Sequence, residues 1–142
     1  MTHSRRHFLS TGAAAALAPY VFASESKEVI RVGVIGCGGR GTGAIWNCLA
    51  SSPMVRITAL GDVFEERVQS AAAKLANEPR SSVTPETSFS GFDSFQKVLS
   101  ADVDLVILAT PPHFRPEHFA AAVDAGKHVF MEKPVAVDAP GV

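Results

Sequence analysis

Three observations predict an α/β fold built on a doubly wound parallel sheet. Short β-branched apolar runs, among them residues 29–36 (VIRVGVIG) and 104–110 (DLVILAT), alternate with segments patterned as helices. Those runs are apolar throughout instead of every second residue, as strands buried on both faces must be. A glycine cluster, CGGRGTG, stands directly between the first run and the first helical segment. With 142 residues, 46% of them hydrophobic, the chain can bury one ordinary core, so one globular domain is expected.

The fold is expected to begin after residue 28. Residues 4–10 (SRRHFLS) precede an uncharged, weakly apolar stretch, residues 11–23 (TGAAAALAPYVFA), which ends in small residues. That is the plan of a signal peptide with cleavage after Ala23, and the stretch is too short to span a membrane. SRRHFLS resembles the twin-arginine export signal, a receptor-read address for proteins exported folded. The resemblance implies the twin-arginine machinery as a partner and an exported, periplasmic location. Residues 24–28 (SESKE) read as a polar linker, leaving 29–142 as the domain.

Within that domain the elements follow in order. After the strand of residues 29–36, Ile45, Cys48 and Leu49 share one face of a helix over 44–50. Residues 54–62 (MVRITALGD) are a second strand, and Phe64, Val68, Ala72 and Leu75 mark the buried stripe of a second helix. Residues 77–91, rich in Ser, Thr and Pro, are a loop with a short strand near Phe89, and 92–99 a short helix. Pro111 and Pro112 stop the strand of residues 104–110 by removing two amide donors. Pro116 suits the first turn of the next helix, Gly126 its C-terminal cap, and residues 127–132 (KHVFME) form the last strand.

Composition narrows the partners. A formal charge of -1 without a basic run offers no footprint for nucleic acid or anionic lipid, so a small molecule is the expected partner. Cys37 and Cys48 fall at opposite ends of the first helical segment, too far apart to bridge, and read as small buried hydrophobes. No Cys/His pair has zinc spacing, and no metal site is expected. His118 reads as a helix-face residue without a ligand partner, and His128 as packing.

Three motifs carry chemistry. Gly36, Gly38 and Gly41 fit G-x-G-x-x-G at a strand-to-helix junction. The first glycine permits the tight turn, the second lets a pyrophosphate approach, and the third lets helix and strand pack closely. The rival reading is a flexible glycine loop. Asp62 ends the second strand about 20 residues further on, where an acid accepts from adenosine ribose hydroxyls and repels a 2'-phosphate, favouring NAD over NADP. No Lys or Arg follows until Arg67; the rival reading is a solvated carboxylate near a helix start. Glu132-Lys133-Pro134 follows the last strand, at the end of a parallel sheet where ligands bind. A partly desolvated Lys133 there suits removal of a hydroxyl proton; the rival reading is an exposed lysine in a surface turn. Pro134 could fix that turn through a cis bond.

Together GCGGRG, ATPPH and AGKHVFMEKP resemble the Gfo/Idh/MocA family over residues 29–142. The resemblance implies a Rossmann domain followed by an α/β substrate domain, so the chain is expected to be the first part of a longer one. It places Gly36, Gly38, Gly39, Arg40 and Gly41 at the pyrophosphate and Asp62 at the adenosine ribose. Thr110, Pro111 and His113 would line the nicotinamide side, Glu132 would meet the nicotinamide ribose, and Lys133 would be the catalytic lysine. Arg115 stands where many members carry His; a guanidinium does not deprotonate and could grip an anionic group. The implied function is an NAD-dependent oxidoreductase of a sugar or polyol, a homo-oligomer when full length. Export, where no free NAD pool is expected, implies that the cofactor is retained and regenerated in place. Two alternatives stand: an NAD-dependent glycoside hydrolase of the same family, whose members often lack Lys at the position of Lys133, and a non-catalytic dinucleotide-binding module. Alone, residues 1–142 are expected to bind a dinucleotide without turnover.

Overall fold

A strand that is apolar on both faces needs cover on both, and β1 (Ile30–Ile35) has it. The computed structural model describes residues 29–142; the export signal and linker lie outside the described residues. After β1 come α1 (Gly39–Ser51), β2 (Val55–Asp62), α2 (Glu65–Leu75), β3 (Ser88–Ser90), α3 (Ser94–Ser100), β4 (Leu105–Leu108), α4 (Arg115–Asp124) and β5 (His128–Met131). The strands form one parallel sheet in the order β3-β2-β1-β4-β5. This is the Rossmann-like, doubly wound fold that the sequence predicts.

Because successive strand residues face opposite ways, the sheet divides the core in two. Val32, Val34, Ile57 and Ile107 pack on one face with Ile45 and Leu49 of α1 and Val68 and Leu75 of α2. Ile35, Ala59, Val106 and Leu108 pack on the other with Phe95 and Val98 of α3 and Ala122 of α4. The chain winds outward from β1 through β2 to β3, then crosses back to place β4 on the other side of β1. A crevice therefore opens between the carboxyl ends of β1 and β4, the place where ligands bind in such sheets.

Several boundaries move from their sequence positions. The helix α1 starts at Gly39, five residues before the stretch that its apolar stripe marks, so Gly39, Arg40 and Gly41 are helical. Phe64 is not part of the buried stripe of α2: it precedes the helix, is 48% exposed and lies under the Arg67 guanidinium at 4.6 Å, while Ala72 packs half-buried against the core beside the fully buried Ala71. The strand β4 ends at Leu108, ahead of the prolines, although the Ala109 amide still donates to the Ile35 carbonyl at 2.8 Å. Cys37 is buried, Cys48 is half-buried and both are free. Gly126 follows α4 at φ +67°, and the Lys133-Pro134 bond is cis.

The amino-terminal rim of the sheet carries an ion cluster far from the crevice. Arg31 donates to Asp104 from its backbone amide and Nε, each at 2.9 Å, and also pairs with Asp102. This fork pulls the Asp104 carboxyl down to about 2. A carboxyl lowered on folding contributes stability above its unfolded pKa, about 3.9, and loses it as pH falls toward 2. Thermal stability is therefore expected to fall between about pH 4 and pH 2, and less steeply in Asp104→Asn. Equal slopes in the two proteins would remove this contribution.

Candidate functional site

The turn that leaves β1 shows why glycines are needed. Gly36 adopts φ +99°, and a β-carbon there would lie 2.7 Å from the Ala109 carbonyl carbon, so only glycine fits. Its amide donates to the Gly61 carbonyl at 2.8 Å. A β-carbon on Gly41 would lie 1.7 Å from the Gly36 carbonyl oxygen, so the first turn of α1 rests directly on the turn before it. At Gly38 and Gly39 the geometry is the reverse: an added β-carbon would meet nothing within 4 Å. Their open side belongs to a cleft of ≈ 680 Å³ at the β1/β4 crevice.

Gly38 caps α1 without a side-chain hydrogen bond, and the first turn holds no acid. The early amides of a helix lack intrahelical acceptors and carry the positive end of its dipole, so this start favours an anion. An open glycine face, an unneutralised helix start and a cleft of this volume fit a dinucleotide with its pyrophosphate against Gly38–Gly41.

Asp62 lies at the end of β2 and is 6% exposed. Its Oδ2 accepts from the Cys37 amide at 2.7 Å and its Oδ1 from the Phe64 amide at 3.0 Å, tying the glycine turn to the β2–α2 connection. That bracing role was not legible in the sequence. Arg67, in the first turn of α2, folds back over Phe64 to bring Nη1 within 3.9 Å of Oδ1 and also lines the cleft. Repulsion of a 2'-phosphate by Asp62 is thus offset by a cation beside it. Cys37 is no nucleophile: burial, then the Asp62 charge, pushes its thiol up to about 12.

Asp62→Ala is expected to leave two amides without acceptors, lowering stability by about 1–3 kcal/mol and weakening NAD about tenfold while NADP changes less. Titration with both dinucleotides and a melting curve check this. An unmoved NAD-to-NADP ratio would make Asp62 a brace only.

Opposite the glycine turn stand the ends of β4 and β5. Thr110 is buried, and its hydroxyl lies 3.3 Å from Nδ1 of His118. His118 stands on α4, as the sequence reading has it, and its side chain is turned inward. It is 6% exposed, stacks on Phe95 at 4.2 Å and borders the cleft. Burial moves its imidazole below the usual range. The helix α4 starts at Arg115 with Pro116 in its first turn, as the sequence predicts. Pro111 lines the cleft, whereas exposed His113 stands outside it against Phe114.

Two further placements depart from expectation. Arg40 and Glu132, assigned to different parts of a dinucleotide, form an ion pair, and this hydrogen bond holds the buried Glu132 carboxyl below its ordinary range. Arg115 does not offer a free guanidinium. It is 6% exposed, and it donates from Nε to the Thr110 carbonyl at 2.8 Å and from Nη1 to the Pro134 carbonyl. Lys133, between Glu132 and Pro134, is exposed, so the described residues do not supply the desolvation expected for it.

Residues 30–141 match the family described as "Oxidoreductase family, NAD-binding Rossmann fold" (GFO_IDH_MocA). A "Glycosyl hydrolase family 109 protein" of Streptomyces coelicolor is 38% identical over 114 residues, which cover 80% of this chain and 24% of that protein. The chain thus spans about a quarter of the length of such curated relatives. Scyllo-inositol dehydrogenase from Lactobacillus casei, solved with NAD(H) and scyllo-inositol, is similar at TM-score 0.65 and 27% identity, covering 80% of this chain and 31% of that one. KijD10, a 3-ketoreductase from Actinomadura kijaniata solved with TDP-benzene and NADP, is similar at TM-score 0.60 and 30% identity, covering 79% and 32%.

Proposed function

This chain belongs to the Gfo/Idh/MocA oxidoreductase family, and from that premise we propose that it forms the cofactor-binding domain of an exported NAD-dependent oxidoreductase of a sugar or polyol. One observation carries the reading: the start of α1, without a side-chain cap, opens beside Gly38 into the crevice cleft, and Glu132, the neighbour of Lys133, pairs with Arg40 of that same first turn. When bound, NAD would supply the hydride acceptor for oxidation of a carbinol carbon.

The residues of this chain do the rest. The amides at Gly38–Gly41 bind the pyrophosphate, and Asp62, braced by two backbone amides, receives the adenosine ribose. Thr110 and Pro111 line the far side of the cleft. Glu132 holds a nicotinamide-side hydroxyl, exchanging its bond to Arg40 for one to the ligand. Lys133 Nζ takes the hydroxyl proton from the substrate. Because Lys133 is exposed, substrate reaches Nζ without displacing a described side chain. A substrate domain beyond residue 142 would supply the remaining contacts, in keeping with the quarter share of the relatives' length.

The Arg5-Arg6 leader supports export, and an exported enzyme without a free NAD pool retains its cofactor and works redox-neutrally. A second reading is favoured by the 38% identity to a glycosyl hydrolase family 109 protein: oxidation is then transient and permits cleavage of a glycosidic bond. The full-length protein, given a panel of polyols and sugars with a keto-sugar acceptor, is expected to exchange oxidation states between them without accumulating free NADH. Stoichiometric NADH release would remove cofactor retention, and chromophore release from a chromogenic glycoside would favour the second reading.

A further inference from the structure

The segment bearing Lys133 is held by arginines on both sides. Before it, the buried Glu132 carboxylate pairs with Arg40 in the first turn of α1, and the Glu132 amide donates to the Leu108 carbonyl at 3.0 Å. After it, the Pro134 carbonyl accepts from Arg115, the first residue of α4. The other arm of Arg115 reaches the Thr110 carbonyl at 2.8 Å. One planar fork therefore joins the chain leaving β4 to the chain leaving β5. Among the described residues no carboxylate lies within 4.0 Å of Arg115, so its hydrogen bonds to carbonyls are what occupy it. A buried guanidinium spent on two backbone carbonyls fixes geometry, because its donors point in set directions.

We propose that Arg115 is a positioning residue: through the Pro134 carbonyl it fixes where Lys133 stands relative to the Thr110 side of the cleft. This rests on the reading that Lys133 moves the substrate proton. A lysine at position 115 would keep the charge but could not hold two carbonyls with one rigid fork. Misplacement by about 1 Å at a reacting group is enough to lower a rate roughly 10²-fold.

The test uses the full-length protein with Arg115→Lys, Arg115→Met and, as reference, Lys133→Met. Both Arg115 variants are expected to lower kcat by roughly 10- to 100-fold while the NAD dissociation constant stays within about threefold, which also reports that the domain is folded. The pH midpoint of kcat should stay in place. In the cofactor-free protein, amide hydrogen exchange at Glu132, Lys133 and Val135 should accelerate, with β1 unchanged. Parental kcat in Arg115→Lys, or a displaced midpoint, would show that charge and not the fork matters and would overturn the proposal. Unchanged exchange at those amides would overturn it in either variant, whatever the kinetics. If Lys133→Met alone left kcat intact, the proton-transfer reading would fall separately, and the exchange data would still decide whether Arg115 holds the turn.

Discussion

Gly41→Ala is expected to unseat α1 and abolish dinucleotide binding. The new β-carbon would lie 1.7 Å from the Gly36 carbonyl oxygen and 2.9 Å from its carbon, both backbone atoms. Neither can swing aside, because the Gly36 amide is bonded to Gly61 and the Cys37 amide to Asp62. The helix start must therefore lift away. Alanine gains about 1 kcal/mol over glycine in helix propensity, but overpacking against fixed atoms costs about 3 kcal/mol or more, so strain wins. A melting curve should show the loss of stability and an NAD titration the loss of binding. Gly38→Ala isolates the second effect: nothing lies within 4 Å of its β-carbon, so the protein should keep its stability and lose affinity because a methyl enters the cleft. Equal melting temperatures for Gly41→Ala and the parent would contradict the close approach.

Lys133→Met in the full-length protein should lower kcat by roughly 10²- to 10⁴-fold, the range for a lost proton-transfer group. The NAD dissociation constant should change little, because the side chain is exposed and outside the cleft lining. This pairing of a large kcat effect with intact binding separates a chemical role from a binding one. An unchanged kcat would leave Lys133 as the surface lysine of the rival reading.

The sequence is legible where the signal is local. The G-x-G-x-x-G spacing reports a turn, a close contact and an open face within six residues, and Gly36, Gly41 and Gly38 supply them respectively. Strands buried on both faces announced themselves as unbroken apolar runs, and even the three-residue β3 was legible as a short strand near Phe89. What stayed hidden depends on where one element sits against another. Arg67 and His118 reach the cleft through the rotation of α2 and α4 about their axes, and a mixed polar face does not set that rotation. The targets of Arg115 are carbonyls at the ends of two strands, which no side-chain pattern encodes. Phe64 misled for the opposite reason: its spacing matched a buried stripe, yet it precedes the helix and serves as a platform for Arg67.

The glycine turn is expected to hold a dinucleotide tightly enough to travel with the protein. Native mass spectrometry of the full-length protein, purified without added cofactor, tests it most directly. One NAD per chain is expected in the parent and none in Gly41→Ala. A parent that arrives empty and takes up no NAD on titration would contradict the account.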